Sequence, residues 1–330
     1  MELYDLTIIG YGITGMIFLA ILQHKLPNIR VAVIDPYFDG GALIREYGDV
    51  ISNTPFSKAI NALKLIDSKY EVPSNYSMYD LNKTTPLYIL VHLLKDFIKT
   101  DYKYDKYETK VSNIEYNTEF TITNEDNTQL RSKVIILCQG SNPKILKTDI
   151  PSIPLHIALH KDLLQKYLRP SDKVVVFGTA HSGTLVLNNL ETLNIKTTAI
   201  YTKEKPFYFA KDGEYDGIKE DAERIAEDII NNKYKNIDLV NIKSLDTIIK
   251  ATKKASYVIY AIGFEARKIL IEDIDSKHYD SESGKIADKI WGFGIAYPSI
   301  APDKIHYDVG LYSFVEHILK QIENIKQSLV

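Results

Sequence analysis

Cysteine is nearly absent. The 330 residues hold one, Cys138. That excludes an intramolecular disulfide and any Cys-x-x-Cys redox pair, and it makes a reducing compartment such as the cytoplasm the expected home. Long apolar runs are missing too: none approaches the roughly 18 residues that a membrane-spanning helix needs. The first strand-like segment begins so close to Met1 that no cleavable leader is expected. Charge of one sign is not in excess either. A formal net charge of −3 gives no electrostatic case for nucleic acid or an anionic membrane as partner. No metal-ligating cluster, Ser-His-Asp set or carboxylate pair stands out. What is present suits a globular chain: 45% hydrophobic and 25% charged residues, in a length that suggests about two domains. The abundance of Tyr, Ile, Lys and Asn reads as compositional bias without functional content.

The most informative stretch lies at the start. An apolar run, Tyr4 to Ile9, reads as a buried parallel strand and ends in Gly10-Tyr11-Gly12-Ile13-Thr14-Gly15. A helical pattern, Met16 to Lys25, follows directly. A second apolar strand, Arg30 to Ile34, then ends in Asp35, 20 residues past Gly15. This is the order of a dinucleotide-binding βαβ unit. Gly10 makes the tight turn out of the strand, Gly12 lets backbone approach a pyrophosphate, and Gly15 lets the helix pack close to the sheet. The helix start, including Ile13 and Thr14, offers free N–H groups and partial positive charge to phosphate. Asp35 is placed to accept hydrogen bonds from a ribose diol. The Gly40-Gly41 pair that follows reads either as a plain turn or as a loop folding over the adenosine or pyrophosphate, with Gly41 as the contact.

Further on, Ser52-Asn53-Thr54-Pro55 precedes a helical pattern over 57–66. These small polar residues either cap that helix or reach toward the cofactor. Thr84-Thr85-Pro86 opens an amphipathic helix, Leu87 to Lys99, with a threonine as cap and Pro86 in its first turn. Strands are expected over 110–123 and 133–138, with a polar turn at 124–127. Gly140 lies just past the second of these, and Cys138 inside it reads as a buried small hydrophobe.

After a linker at 149–154 the pattern restarts. Lys173 to Phe177 reads as a strand, Gly178-Thr179-Ala180-His181-Ser182-Gly183 as a second glycine turn, 185–193 as a helix and 196–201 as another strand. Ala180 stands where the first turn has its middle glycine. At the strand tip come Thr202-Lys203-Glu204-Lys205. No acid waits there for a free 2′-hydroxyl, whereas Lys203 pairs with phosphate; this favours NADP over NAD, the other reading being a solvated charged loop. Strand 256–262 again ends in a glycine, Gly263. Segment 289–296 holds Gly294, and a last helix is expected from 308–310 to about 326.

Two such units, each closed by a strand ending in Gln-x-Gly or Ala-x-Gly, resemble the two-dinucleotide-binding-domain flavoproteins. These are FAD/NAD(P)-dependent oxidoreductases that include thioredoxin and ferredoxin reductases and flavin-containing monooxygenases. The resemblance spans nearly the whole chain. It implies an α/β fold of two Rossmann-like, three-layer domains, the NAD(P) domain (149–264) inserted into the FAD domain (1–148 and 265–330). It implies FAD on Gly10, Gly12, Ile13, Thr14, Gly15 and Asp35, with Gly41, Asn53, Gly140 and Gly294 nearby, and NADP (NAD as the alternative) on Gly178, Ala180, His181, Ser182, Gly183, Lys203 and Gly263. The family's cysteine-pair chemistry needs residues this chain lacks. Where the family carries Gly-Asp near its C-terminus, this chain has Gly294-Ile295. The second turn and Ser52-Asn53-Thr54-Pro55 look more like the monooxygenase branch, yet of that branch's Phe-x-Gly-x-x-x-His motif only His160 is present, in Pro154 to His160.

The expected chemistry is a hydride relay from reduced nicotinamide to FAD and on to a small-molecule acceptor, with no nucleic-acid or membrane partner; the sequence is silent on oligomeric state. Cofactors carry such chemistry, so few catalytic side chains are nameable: Asn53 near the flavin ring, and His160. Two readings compete with this. One is an N- or S-hydroxylating monooxygenase. The other is a nucleotide-binding module on the same fold without turnover.

Overall fold

The computed structural model describes residues 2–98, 102–210, 217–242, 244–272, 274, 278–301, 304 and 307–329. The chain divides into two compact units, Met1–Asn142 with Ala266–Val330, and Pro143–Glu265.

The first unit is built on a mixed sheet whose centre is parallel. Strand Leu3–Ile9 lies between Val31–Ile34 and Gln129–Leu137, and the returning strand Ile290–Gly292 continues the parallel run on the far side of Gln129–Leu137. Sequence pattern explains the layering. The central strands are apolar at successive positions, as strands covered on both faces must be. Leu6, Ile8, Val31, Val33, Val134 and Ile136 face a helical layer. Ile9, Ala32, Ile34, Ile135 and Leu137 face the other way, against Ile114, Phe120 and Ile122 of an antiparallel meander, Val111–Tyr116 and Phe120–Asn124. The helical layer contains Ile13–Lys25, Phe56–Ile66, Leu87–Phe97 and Leu311–Gln327, the last packed on the first two. Helix Ile13–Lys25 is buried from Thr14 to Gln23, so its position against the sheet is fixed by core packing along most of its length.

The second unit carries a four-stranded parallel sheet in the order Ile237–Asn241, Lys196–Tyr201, Lys173–Phe177, Tyr257–Tyr260. Val174 and Val176 face a cluster that includes Val186 and Leu187 of helix His181–Thr192 and Ile225 of helix Asp221–Ile230. Val175 and Phe177 face Ile248 and Ala251 of Leu245–Thr252 on the opposite side. Both units are therefore three-layer α/β structures, as the sequence implies.

Several local expectations are corrected. Helix Phe56–Ile66 starts from Pro55 with no side-chain cap, because the Ser52 hydroxyl donates instead to the Thr54 carbonyl at 2.8 Å. Helix Leu87–Phe97 likewise starts from Pro86 without a side-chain cap, and the Thr85 hydroxyl is buried with no partner among the described residues. The meander turns twice: the stretch expected as one strand over 110–123 breaks at 117–119. Helices Ala42–Tyr47 and Leu245–Thr252 and the edge strand Asp105–Tyr107 were not signalled. The sequence reads 206–217 as an aromatic, glycine-containing loop, and its residues 211–216 lie outside the described residues.

Candidate functional site

The first turn follows Ile9 at the carboxyl end of the central strand, where open α/β sheets bind ligands. Gly10 has φ +101, and a Cβ there would run into the carbonyl of Cys138. The turn is closed from two sides: the Gly10 N–H donates to the Ile34 carbonyl at 2.8 Å and the Cys138 N–H to the Ile9 carbonyl at 2.8 Å. A Cβ on Gly15 would overlap the Gly10 carbonyl, so this glycine is required by the fold whatever binds.

Gly12 differs. It caps the helix with φ −74 and ψ −172, a conformation open to any residue, and the nearest atom a Cβ would meet is the Gly40 carbonyl oxygen at 3.9 Å. Nothing in the protein demands glycine there. Helix Ile13–Lys25 has no side-chain cap and no acidic residue in its first turn. Its first N–H groups have no helical partner, the environment an anion prefers, with the Asp35 carboxylate close by on the Tyr11 N–H. The glycine pair comes back onto this spot: Gly12 bridges to Gly40, and a Cβ on Gly41 would lie 2.9 Å from the Gly12 Cα. Asp39 holds the pair in place, accepting from the Gly41 N–H at 2.9 Å and from Arg45 at 2.7 Å. Burial pushes the Asp39 carboxyl up, but these donors outweigh it and leave it below the ordinary carboxylate range.

Asp35 is 8% exposed and already engaged. Its Oδ2 accepts from the Tyr11 N–H at 2.8 Å, and its Oδ1 from the N–H groups of Tyr37 and Phe38 at 2.9 and 3.0 Å. It ties the glycine turn to the loop after the second strand, so its first role here is to hold the turn. Behind it, the Tyr11 ring packs on Phe38 (5.0 Å between centroids) and Tyr104 (6.4 Å), and burial pushes its phenol well above the usual range. Thr14 is buried, and a Cβ on Gly294 (φ +86) would run into the Thr14 hydroxyl. Gly140, two residues past Cys138, has φ +71 and open space around it. Asn53 is exposed on the loop before helix Phe56–Ile66.

The second turn repeats this geometry within its own unit. Gly178 has φ +98 and abuts the Ala261 carbonyl; a Cβ on Gly183 would overlap the Gly178 carbonyl. Ala180 caps helix His181–Thr192 with φ −74 and ψ −170, again with no side-chain cap and no acid in the first turn. The Thr179 hydroxyl donates to the Pro206 carbonyl, holding the loop beyond the second strand toward the turn. His181 is partly buried and its Nδ1 has no partner among the described residues. Burial and, secondarily, Lys219 lower its pKa, with Asp221 opposing, so it is neutral at neutral pH. Lys203 is exposed past the end of strand Lys196–Tyr201. Gly263 (φ +89) mirrors Gly140. His160 sits at the corner between two short helices, Leu155–Leu159 and Lys161–Tyr167, rather than on the turn.

Sequence reasoning missed three things: the carbonyls of Cys138 and Ala261 as backstops, the return of Gly40-Gly41 onto Gly12, and the tyrosine beside Lys203. The strand-exit motifs at 138–140 and 261–263 were the only signal for the first. Among the described residues no group of three or more His, Cys, Asp or Glu forms a candidate metal site, and no helix is long and apolar enough to cross a membrane.

No family model matches the sequence. A curated relative, monooxygenase AgnR1 from Paecilomyces divaricatus, is 23% identical, with 94% of this chain and 95% of that protein aligned. Among solved structures, a flavin-containing monooxygenase from Stenotrophomonas maltophilia superposes with a TM-score of 0.73 at 13% identity, over 100% of both chains. DfoA from Erwinia amylovora, a cadaverine monooxygenase bound to FAD, gives 0.69 at 14% identity over 99% of this chain and 95% of its own. The bacillithiol disulfide reductase Bdr (YpdA) from Staphylococcus aureus gives 0.66 at 14% identity over 100% and 98%. The chain thus has the fold of the two-domain, Rossmann-type FAD/NAD(P) flavoproteins.

Proposed function

We propose that the first unit binds FAD, that the second binds NADP(H), and that the protein is an NAD(P)H-dependent flavoprotein oxidoreductase acting on a small-molecule acceptor. The observation that carries this is Gly12: a helix N-terminus with no side-chain cap and no acid in its first turn, fronted by a glycine that the fold itself does not require. Such a place suits a pyrophosphate, and the flavin-containing neighbours of the same fold make FAD the dinucleotide of choice. The second turn fits a dinucleotide as well, with the Ala180 methyl where the first turn has Gly12 and the His181 imidazole where it has Ile13.

When bound, the nicotinamide supplies a hydride and the flavin takes it up and passes the electrons on. The chain's own part is to bind and orient. The N–H groups at the start of helix Ile13–Lys25 hold the FAD pyrophosphate. Asp35 fixes the turn, with one Oδ2 lone pair left for a ribose hydroxyl, Thr14 and Gly294 would border the bound flavin nucleotide, and Asn53 would offer a polar group. Lys203 selects the 2′-phosphate. We infer that the enzyme does not reduce disulfides through its own thiols: Cys138 is the sole cysteine and is buried in a strand exit, which pushes its thiol far up.

A second reading, an N- or S-hydroxylating monooxygenase, is favoured by the likeness to AgnR1, to the Stenotrophomonas enzyme and to DfoA. One experiment tests both. Purified protein is supplied with FAD and its visible spectrum is followed on adding NADPH without oxygen, then with oxygen and a candidate amine or sulfide. Bleaching by NADPH supports the oxidoreductase, and product oxygenation coupled to NADPH consumption moves the assignment to the monooxygenase. Bound flavin that NADPH does not bleach would contradict both.

A further inference from the structure

Each unit places an exposed tyrosine just past its second strand, with a cation over the ring. In the first unit Arg45 lies 4.1 Å from the Tyr37 centroid and is pinned by Asp39 at 2.7 Å. In the second, the Lys203 amine lies 4.7 Å from the Tyr208 centroid, and among the described residues no carboxylate pairs with it. The Lys203 backbone is fixed, because Asn241 Nδ2 donates to its carbonyl at 2.7 Å. The Tyr208 backbone is fixed too: its carbonyl accepts from Ile218 N–H at 2.7 Å, and neighbouring Phe207 is buried. The Tyr208 side chain itself is 41% exposed. An aromatic ring on a fixed backbone is therefore covered by a cation whose one hold among the described residues is a weak, solvent-exposed cation–π contact.

We propose that Lys203 and Tyr208 form a latch that selects the coenzyme. This rests on the reading of the second unit as the NADP(H) domain. With the amine parked on the ring, the aromatic face is closed to an adenine. A dianionic 2′-phosphate at the strand tip offers the amine a stronger partner, so Lys203 swings off the ring and the bared Tyr208 stacks on the adenine. A coenzyme without that phosphate leaves the latch shut. Tyr208 thus adds to NADP affinity through Lys203 and contributes little to NAD affinity. The arrangement at Tyr37 cannot work this way, because moving Arg45 would break its ion pair with Asp39.

The test is calorimetric titration of the full chain with NADP⁺, NAD⁺ and 2′,5′-ADP, with thermal melting as the check on folding. Tyr208→Ala should weaken NADP⁺ and 2′,5′-ADP by about fivefold or more, the scale of lost base stacking, and leave NAD⁺ within about twofold. Tyr208→Phe, which keeps the ring, should bind as wild type. Lys203→Ala should weaken NADP⁺ while NAD⁺ binds as well or better, its ring face now open. The latch is overturned if Tyr208→Ala binds NADP⁺ like wild type, if it weakens both coenzymes equally, or if Lys203→Ala loses NAD⁺ along with NADP⁺. Wild-type protein that binds neither coenzyme would overturn the reading of the second unit and the latch with it.

Discussion

Gly12 and Ala180 stand at the same place in two turns of the same shape, with φ −74 and ψ −172 at the first and φ −74 and ψ −170 at the second. The glycines on either side match as well: φ is +101 at Gly10 and +98 at Gly178, and a Cβ on Gly15 or Gly183 would overlap the carbonyl of Gly10 or Gly178 respectively. What separates the turns is side chain: a methyl on Ala180, and an imidazole on His181 where the first turn has Ile13. Comparing them sorts the glycines by cause. Gly10, Gly15, Gly178 and Gly183 are demanded by backbone, since a Cβ would collide with protein. Gly12 is not, and a ligand is the remaining reason for it. The second turn shows the corollary, that a side chain fits this position without disturbing the fold.

The largest expected effect is on the fold. Gly10→Ala and Gly178→Ala each force a side chain into a left-handed conformation against a carbonyl, and each should cost about 2–4 kcal/mol. Denaturant melts should show the two losses to be similar; a large difference would mean that the turns are not equivalent. Next in size, Gly12→Ala should reduce FAD affinity at least about tenfold while costing stability only about 1 kcal/mol or less, as helix N-caps do. Its mirror, Ala180→Gly, should tighten NADP⁺ binding by roughly threefold with stability unchanged within about 0.5 kcal/mol; weaker binding would show that the methyl assists.

The smallest expected effect is on pH dependence. Burial first, then Lys219, hold His181 below the ordinary histidine pKa, against Asp221. The unfolded chain therefore takes up this proton before the native one does. The stability tied to His181 is full above about pH 6.5 and is lost as pH falls toward the folded value. A bound pyrophosphate reverses the preference, since it favours the imidazolium. The affinity for NAD⁺, which lacks the 2′-phosphate that itself titrates at about pH 6, should rise about twofold on acidification through that range, and the rise should vanish in His181→Ile. Flavin affinity, with Ile13 at the corresponding place, should stay flat. Titrations over pH decide it.

The two turns were legible in the sequence because a βαβ unit is local: strand, glycines, helix and acid all lie within a few dozen residues. What lay outside the sequence is what links distant segments. The carbonyl that fixes Gly10 belongs to Cys138, and no spacing rule connects the two. Asp35 was readable as an acid at the right distance, but its capture by three backbone N–H groups depends on the path of the loop. Ser52 and Thr85 looked like helix caps by composition, yet each sits in a paired segment, where the Ser52 N–H donates to the Thr85 carbonyl at 2.8 Å. Strand Asp105–Tyr107 has no apolar signal of its own: two of its three residues are exposed, and it pairs with Val31–Ile34 at the sheet edge.

The central claim is that a dinucleotide, and not the protein, requires Gly12. Wild-type and Gly12→Ala protein, each supplied with FAD and stripped of excess, should be compared by visible absorption and by melting temperature. The account predicts a yellow wild type and a nearly colourless variant that melts within a few degrees of it. Equal flavin in both proteins, or a wild type that takes up none, would contradict it.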